Sequence, residues 1–269
     1  MTARVESLHL YPVKGFRAQD CTKAEITLQG PAGDRRWMVT DLEGGFLTQR
    51  QMPHMAQLVA EPSADGLVLR HGGRACAVRR PGPGAARLDV TVWRDTVSAA
   101  IADPAAEAWL SGVLGRPCRL VHVDEAHARP VDPAYAQPED RVGFADGYPL
   151  LATSHDSLAA LNAALAAPVP MNRFRPNLTV SGLAPWSEDR WRRVRIGTMM
   201  FRAPRPCTRC VVVTRDQRSG EAPDPGEPLR TLGRLNRHSD GIVFGANLIP
   251  EAPGHLAVGD PVEVIETIT

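Results

Sequence analysis

Two of the five cysteines stand three apart in "RPCTRCVVVTRDQRSG", Arg205 to Gly220. At that spacing Cys207 and Cys210 admit four readings: a zinc knuckle, a redox pair, one metal ligand beside a bystander, or two buried thiols. A zinc knuckle needs a second C-x-x-C or paired histidines at ligand spacing. Downstream stand only His238 and His255, too far apart for that. A thioredoxin-like pair opens a helix, whose N-terminus lowers the nucleophile's pKa. Here the pair opens the β-branched run "VVVT", which predicts a strand over 210–214. Side chains three apart on a strand face opposite sides, so one thiol is expected to face a site. Arg205 and Arg209 beside the thiols favour thiolate, the form that soft metals bind. Inert buried thiols stay open at this point.

A second cluster is "MNRFRPNLTV", where Arg173, Arg175 and Asn177 alternate with Phe174, Pro176 and Leu178. Strand geometry puts the polar set on one face, and two guanidinium forks with an amide suit a phosphate or a polar heterocycle. A solvated strand face is the plainer alternative. "YPVKGFR" places Lys14 before Gly15 at a strand end, and "GDRRW" starts a strand with Arg35 and Arg36 on opposite sides. In "FADGYPLLATS" a glycine turn leads to Thr153 and Ser154 at a helix N-terminus, which is an anion site by geometry unless it is merely capped. The P-loop, dinucleotide, H-E-x-x-H and G-x-S-x-G motifs are all missing from the sequence, so the chemistries built on them lack their usual parts.

The elements that must position these residues are mostly short strands. Runs such as 5–10, 24–28, 36–40, 66–70, 87–93, 118–123, 177–182 and 260–266 are rich in Val, Ile, Thr and Leu and bounded by Gly, Pro, Asp or Asn. Two helices are predicted. One follows the Asp103 cap and Pro104 and stops at Gly115; the other is capped by Thr153 or Ser154, with Leu158, Leu161 and Leu165 on one face. The passage 124–142, rich in Pro and charge, reads as an exposed connection. The expected organisation is mainly β with appended helices (α+β). β-Barrels or sandwiches are expected, in two domains, 1–123 and 124–269.

Length and composition fit an ordinary globular chain: 269 residues, 43% hydrophobic and 23% charged. Thirty-one basic against thirty acidic residues leave no net field to recruit nucleic acid or anionic membrane. No signal peptide and no 18-residue apolar run stand out, and the cysteines are odd in number and scattered. A cytoplasmic protein is expected.

Taken in order, "LYPVKG", "GDRRWMVTD", "LTQRQMP", "DGYPLLATSHDSLAALN", "RFRPNLTVSG" and "PCTRCVVVTRDQRSG" resemble the MOSC-domain proteins. The resemblance is to the branch with an N-terminal β-barrel domain, the mitochondrial amidoxime-reducing components and their bacterial relatives, and it runs from about residue 5 to 266. It implies a molybdenum–molybdopterin (Mo-MPT) cofactor in a cleft between the two domains and reduction of N-hydroxylated compounds such as amidoximes and hydroxylamino bases. The second Cys of the family's motif is the metal ligand, which maps to Cys210. Lys14, Gly15, Arg35, Asp146, Gly147, Arg175, Asn177, Thr208 and Arg209 map to cofactor contacts. Asn247 stands where the family segment carries an aromatic, and Gly15 where relatives often carry Ser. Asp146 and His155 are the proton-supply candidates near the site in sequence. Some bacterial relatives add an iron–sulfur domain with C-x4-C-x2-C spacing. That spacing is missing here, so electrons are expected from a separate ferredoxin, flavoprotein or cytochrome b5-like protein. A cofactor or sulfur carrier without reductase activity is the alternative.

Overall fold

A computed structural model describes residues 2–268. Its largest sheet runs in the order Gln19–Cys21, Arg4–Leu10, Leu178–Ser181, Leu150–Ser154, Gly241–Pro250, Met199–Arg202, Trp191–Ile196 and Val262–Thr267. Leu8, Val180, Trp191, Phe201 and Leu248 fill its core. The first strand of the chain thus pairs far along the sequence, antiparallel to Leu178–Ser181. Lys23–Thr27 likewise pairs with Gly254–Ala257. A chain of side-chain contacts stitches this edge: His9 Nδ1 to Asp20 (2.7 Å), His9 Nε2 to Ser7 Oγ (2.8 Å), Ser7 to Thr179 (2.6 Å) and Thr179 to His155 (3.1 Å).

The N-terminal half builds its own layers. Trp37–Thr40, Arg119–His122, Asp95–Ile101 and Arg87–Val92 form one sheet, and Val59–Ser63, Gly66–His71 and Arg74–Arg79 another. Val13, Trp37, Met55, Leu58, Leu69 and Leu110 pack between them and helix α1, Pro104–Leu114. Helix α1 has the predicted ends. Asp103 accepts from Ala106 N, and Gly115 closes the helix at φ 69, a left-handed conformation that costs glycine nothing. Helix α2, His155–Ala163, is capped by Ser154, whose hydroxyl accepts from Asp156 N and Ser157 N. That cap fills the helix terminus, so the anion site considered there is not formed. Helix α3, Leu229–Leu235, has no capping side chain to announce it.

Two expected strands are not strands. Val211–Thr214 is a 3-10 turn, although its composition is the most strand-like in the chain. Tertiary contacts override propensity there. Val213 is buried in a cluster with Phe174 and Phe244, Arg173 donates to Thr214 O (2.6 Å), and Thr214 Oγ1 folds back on Val211 O (2.8 Å). Met171–Phe174 is also a 3-10 turn, and Arg175 leaves it left-handed at φ 54. The passage 124–142 is not simply an exposed connection either. Arg129, Val131, Asp140 and Val142 are buried, and Arg129–Pro130 pairs with Arg141–Val142. The Arg129 guanidinium holds Gly143 O (3.1 Å), Ala145 O and Asp95 Oδ2 (2.5 Å), fixing the loop that leads to Asp146. Among the described residues, no helix is long and apolar enough to cross a membrane.

Candidate functional site

A cleft with about 940 Å³ of atom-free space, counting the part open to solvent, lies between the two halves. Lys14, Gly15, Arg35, Phe46 to Arg50 and Trp93 line it from one side, and Ala145 to Tyr148, Arg175, Asn177, Cys207, Arg209, Cys210 and Asn247 from the other. Five cations (Lys14, Arg35, Arg50, Arg175, Arg209) face it against one carboxylate, Asp146. An anionic ligand is what such a wall recruits.

Of the residues mapped to cofactor contacts by the family resemblance, all but Thr208 line this cleft. Thr208 pairs with Val243 in the short strand Pro206–Thr208 and is exposed, so alternation along the chain turns Cys207 and Arg209 inward and Thr208 outward. His155 lies outside the cleft, at the start of helix α2, bonded to Thr179. Arg173 does not share a face with Arg175 and Asn177, because the 3-10 turn aims it at Thr214 O. Of the two adjacent arginines, Arg35 lines the cleft and Arg36 a separate cavity with Trp37 and His122.

Arg35 and Arg175 bracket the buried Tyr11 ring, at 4.3 and 4.5 Å from its centroid. Both sit at positive φ, 45 and 54, where a residue other than glycine or asparagine carries strain. Bonds around them hold the strained backbone in place. Arg35 Nη1 donates to Asp34 Oδ2 (2.6 Å) and Asn177 Oδ1 (3.0 Å). Arg175 donates to Gln217 Oε1 and Phe16 O, both at 2.8 Å. Burial pushes the Arg175 guanidinium down to about 10, with Arg35 adding to the effect and Tyr11 opposing it. Burial pushes the Tyr11 hydroxyl up to about 12 although both arginines pull the other way. The Asn177 amide is largely spent inside the protein, on Arg35, Leu151 N and His9 O.

Lys14 Nζ donates to Phe144 O (2.7 Å) and Asp146 Oδ1 (2.5 Å). Burial lowers its pKa while Asp146 holds it up. The Asp146 side chain is three-quarters accessible, 75%, and its accessible part faces the cleft. The protein around the cleft works to raise its pKa by displacing solvent, but Lys14 and then Arg35 outweigh that and keep the carboxylate ionised. Gly15 turns at φ 84, and a Cβ there would stand 3.1 Å from the Met55 methyl. A serine in its place would be strained in this chain.

The two thiols differ. Arg209 Nη1 donates to Cys207 Sγ at 2.9 Å while its Nη2 holds Phe174 O. The arginine expected to bias one of the thiols therefore engages Cys207. Cys210 stands at the N-terminal end of the Val211–Thr214 turn with extended φ −118 and ψ 176, half-buried. Among the described residues its Sγ makes no hydrogen bond, which leaves its lone pairs open to a soft metal. Asn247 Nδ2 braces Arg205 O and Pro206 O behind this loop. The whole set suits a phosphate-bearing group with a soft-metal end: cations and amides for the anion, one free thiol for the metal.

Sequence reasoning missed Phe46, Thr48, Gln49, Arg50, Trp93 and Tyr148 as cleft residues. The first four belong to "FLTQR", a stretch with no metal- or phosphate-type spacing, and Trp93 read as the end of a strand.

Residues 2–117 match the MOSC N-terminal beta barrel domain and residues 139–263 the MOSC domain. The chain is 32% identical over 280 residues to mitochondrial amidoxime-reducing component 1 of Mus musculus, covering 97% of this chain and 82% of that protein. To the same component of Homo sapiens it is 30% identical over 286 residues, with the same coverage. It is 28% identical over 263 residues to the molybdenum cofactor sulfurase of Oryza sativa subsp. japonica, covering 90% of this chain but 32% of that protein. With both domain matches in order and these identities over nearly its full length, the chain belongs to the MOSC-domain family that carries an N-terminal MOSC beta barrel domain, alongside the mitochondrial amidoxime-reducing components.

Proposed function

We propose that this chain is a molybdenum-cofactor-dependent reductase of N-hydroxylated compounds, with Cys210 as the single protein ligand of the metal. The observation that carries the reading is the half-buried Cys210 thiol, without a hydrogen-bond partner among the described residues, in a cleft walled by five cations and one carboxylate. Arg35, Arg175 and Arg209 would hold the anionic end of the cofactor, with Asn177 and Asp34 keeping Arg35 in place. When bound, the cofactor supplies the two-electron couple for cleaving an N–O bond.

The protein's part is orientation, exclusion of water and proton supply. Cleaving N–OH to N–H releases water and consumes two electrons and two protons. Asp146 is held ionised and is a poor acid at neutral pH. Lys14, whose pKa burial lowers, is the better donor in the cleft, and Asp146 fixes its ammonium in place. Electrons would come from a separate ferredoxin, flavoprotein or cytochrome b5-like protein.

The test is consumption of benzamidoxime by molybdenum-loaded protein with reduced viologen, with NADH alone, and with NADH plus a reductase and carrier. Turnover is expected in the first and third and not in the second. Silence in all three, with molybdenum shown to be bound, would move the assignment to a cofactor or sulfur carrier, the reading that the similarity to molybdenum cofactor sulfurase favours.

A further inference from the structure

The structure assigns Trp93, with Phe46 and Arg50, to a stacking subsite in the same cleft that selects substrates bearing a flat, delocalised ring. That the ligand is a substrate rests on the reductase reading above; the subsite itself rests on a hairpin. Arg87–Val92 and Asp95–Ile101 pair with Val92 opposite Asp95, which leaves Trp93 and Arg94 as the whole turn. A two-residue hairpin turn needs left-handed backbone, and Gly, Asn or Asp supplies it at low cost. Here the position at φ 57 is a tryptophan. A bulky residue at positive φ is a true outlier and persists only where its surroundings hold it: Trp186, at φ 65, packs on Phe244, whereas Trp93 faces the cleft.

The hairpin gains no core from it, because Trp93 is 41% exposed. Its indole instead takes part in the cleft wall. Nε1 donates to Asp146 Oδ1 (3.3 Å), the Phe46 ring meets it edge-on at 5.1 Å, and the Arg50 guanidinium lies 4.6 Å from its centroid. Two edges of the indole are thus fixed and the buried Lys14 ammonium lies over the ring at 5.9 Å, while the nearer cation over it, at 4.6 Å, is an exposed arginine on a flexible stem. A guanidinium is itself a flat, delocalised plane. An aromatic amidoxime or an N-hydroxylated heterocycle presents the same shape and takes the position over the indole that Arg50 holds. An alkyl N-hydroxy compound has nothing to place there.

The test compares benzamidoxime with acetamidoxime, which share the reacting group and differ in the ring. Both are measured on molybdenum-loaded protein, by calorimetric affinity without reductant and by KM with reduced viologen. Trp93→Gly suits the turn better than tryptophan does, so its melting temperature should not fall and any loss of binding is not a loss of fold. Base–aromatic stacking is worth about 5- to 150-fold in affinity. The ratio of benzamidoxime to acetamidoxime affinity should therefore drop about tenfold in Trp93→Gly, with the KM ratio moving alike. Trp93→Phe should keep most of the ratio, and so should Arg50→Ala. An unchanged ratio in Trp93→Gly, or an equal loss for both compounds, overturns the subsite. Ring selectivity in binding by a wild-type protein that turns over neither compound upholds the subsite and sinks the reductase reading instead.

Discussion

Arg175→Ala separates cofactor binding from folding, and the structure sets the size of both effects. The guanidinium makes two charge-assisted bonds at 2.8 Å, to Gln217 Oε1 and Phe16 O. At about 1.5–3 kcal/mol each, they contribute about 3–6 kcal/mol to the folded state. Burial opposes this. A pKa pushed from 12.5 down to about 10 corresponds to about 3 kcal/mol against the charged form. The net loss on deletion is therefore about 0–3 kcal/mol, or at most about 10 °C in melting temperature for a chain of this size. A bound phosphate, by contrast, loses a charge-assisted contact outright, so cofactor affinity falls about 10- to 150-fold. An arginine on the surface would leave folding untouched; this one is half-buried and loses something on both counts. The assay pairs calorimetric melting of cofactor-free protein with molybdenum per chain after gel filtration, from a host that makes the cofactor. A variant that melts early yet keeps full molybdenum content refutes the role given to Arg175.

Three further perturbations test the frame. Burial pushes the Glu188 carboxyl up to about 7, its Oε2 accepting from Ser157 and its Oε1 buried without a partner among the described residues. A raised folded pKa means stability is full below about 4.5 and is lost as pH rises towards 7, by about 3 kcal/mol. Glu188→Gln should therefore flatten the melting profile between pH 5 and 8 and exceed wild type at pH 8; a parallel profile argues against it. Gly220 sits at φ 81, and a Cβ there would lie 2.3 Å from Pro53 O. Gly220→Ala should cost about 2 kcal/mol or more in a thermal melt, and a neutral result would mean the loop does not pack on Pro53. Asp146→Asn removes the charge that holds the Lys14 pKa up. The alkaline limb of the benzamidoxime pH–rate profile should then move to lower pH, and an unmoved limb rules out Lys14 as the proton donor.

The site was more legible in the sequence than the elements that carry it. Cys210, Arg175 and Lys14 stand in short motifs whose residue types limit the chemistry, and the cleft gathers them. The elements around Cys210 and Arg175 misled because their local signals are real but outweighed. "VVVT" prefers a strand until Val213 is drawn into the Phe174–Phe244 cluster. The alternation in "RFRPN" suggests one polar face until Arg175 turns left-handed. Arg129 looked like a linker charge because the carbonyls it holds, Gly143 O and Ala145 O, are groups every sequence has. Trp93 was invisible for a related reason: its importance lies in a backbone angle, not in a residue spacing.

The central claim is that one thiol, Cys210, binds the metal while Cys207 is occupied by Arg209. X-ray absorption at the molybdenum edge, on wild type, Cys210→Ala and Cys207→Ala prepared in the same host, counts the sulfur neighbours of the metal in each. The account predicts that Cys210→Ala has one sulfur fewer than wild type, or fails to retain molybdenum, while Cys207→Ala matches wild type in both sulfur count and metal content. Wild type without molybdenum, or the same loss in both variants with intact folding, would contradict it.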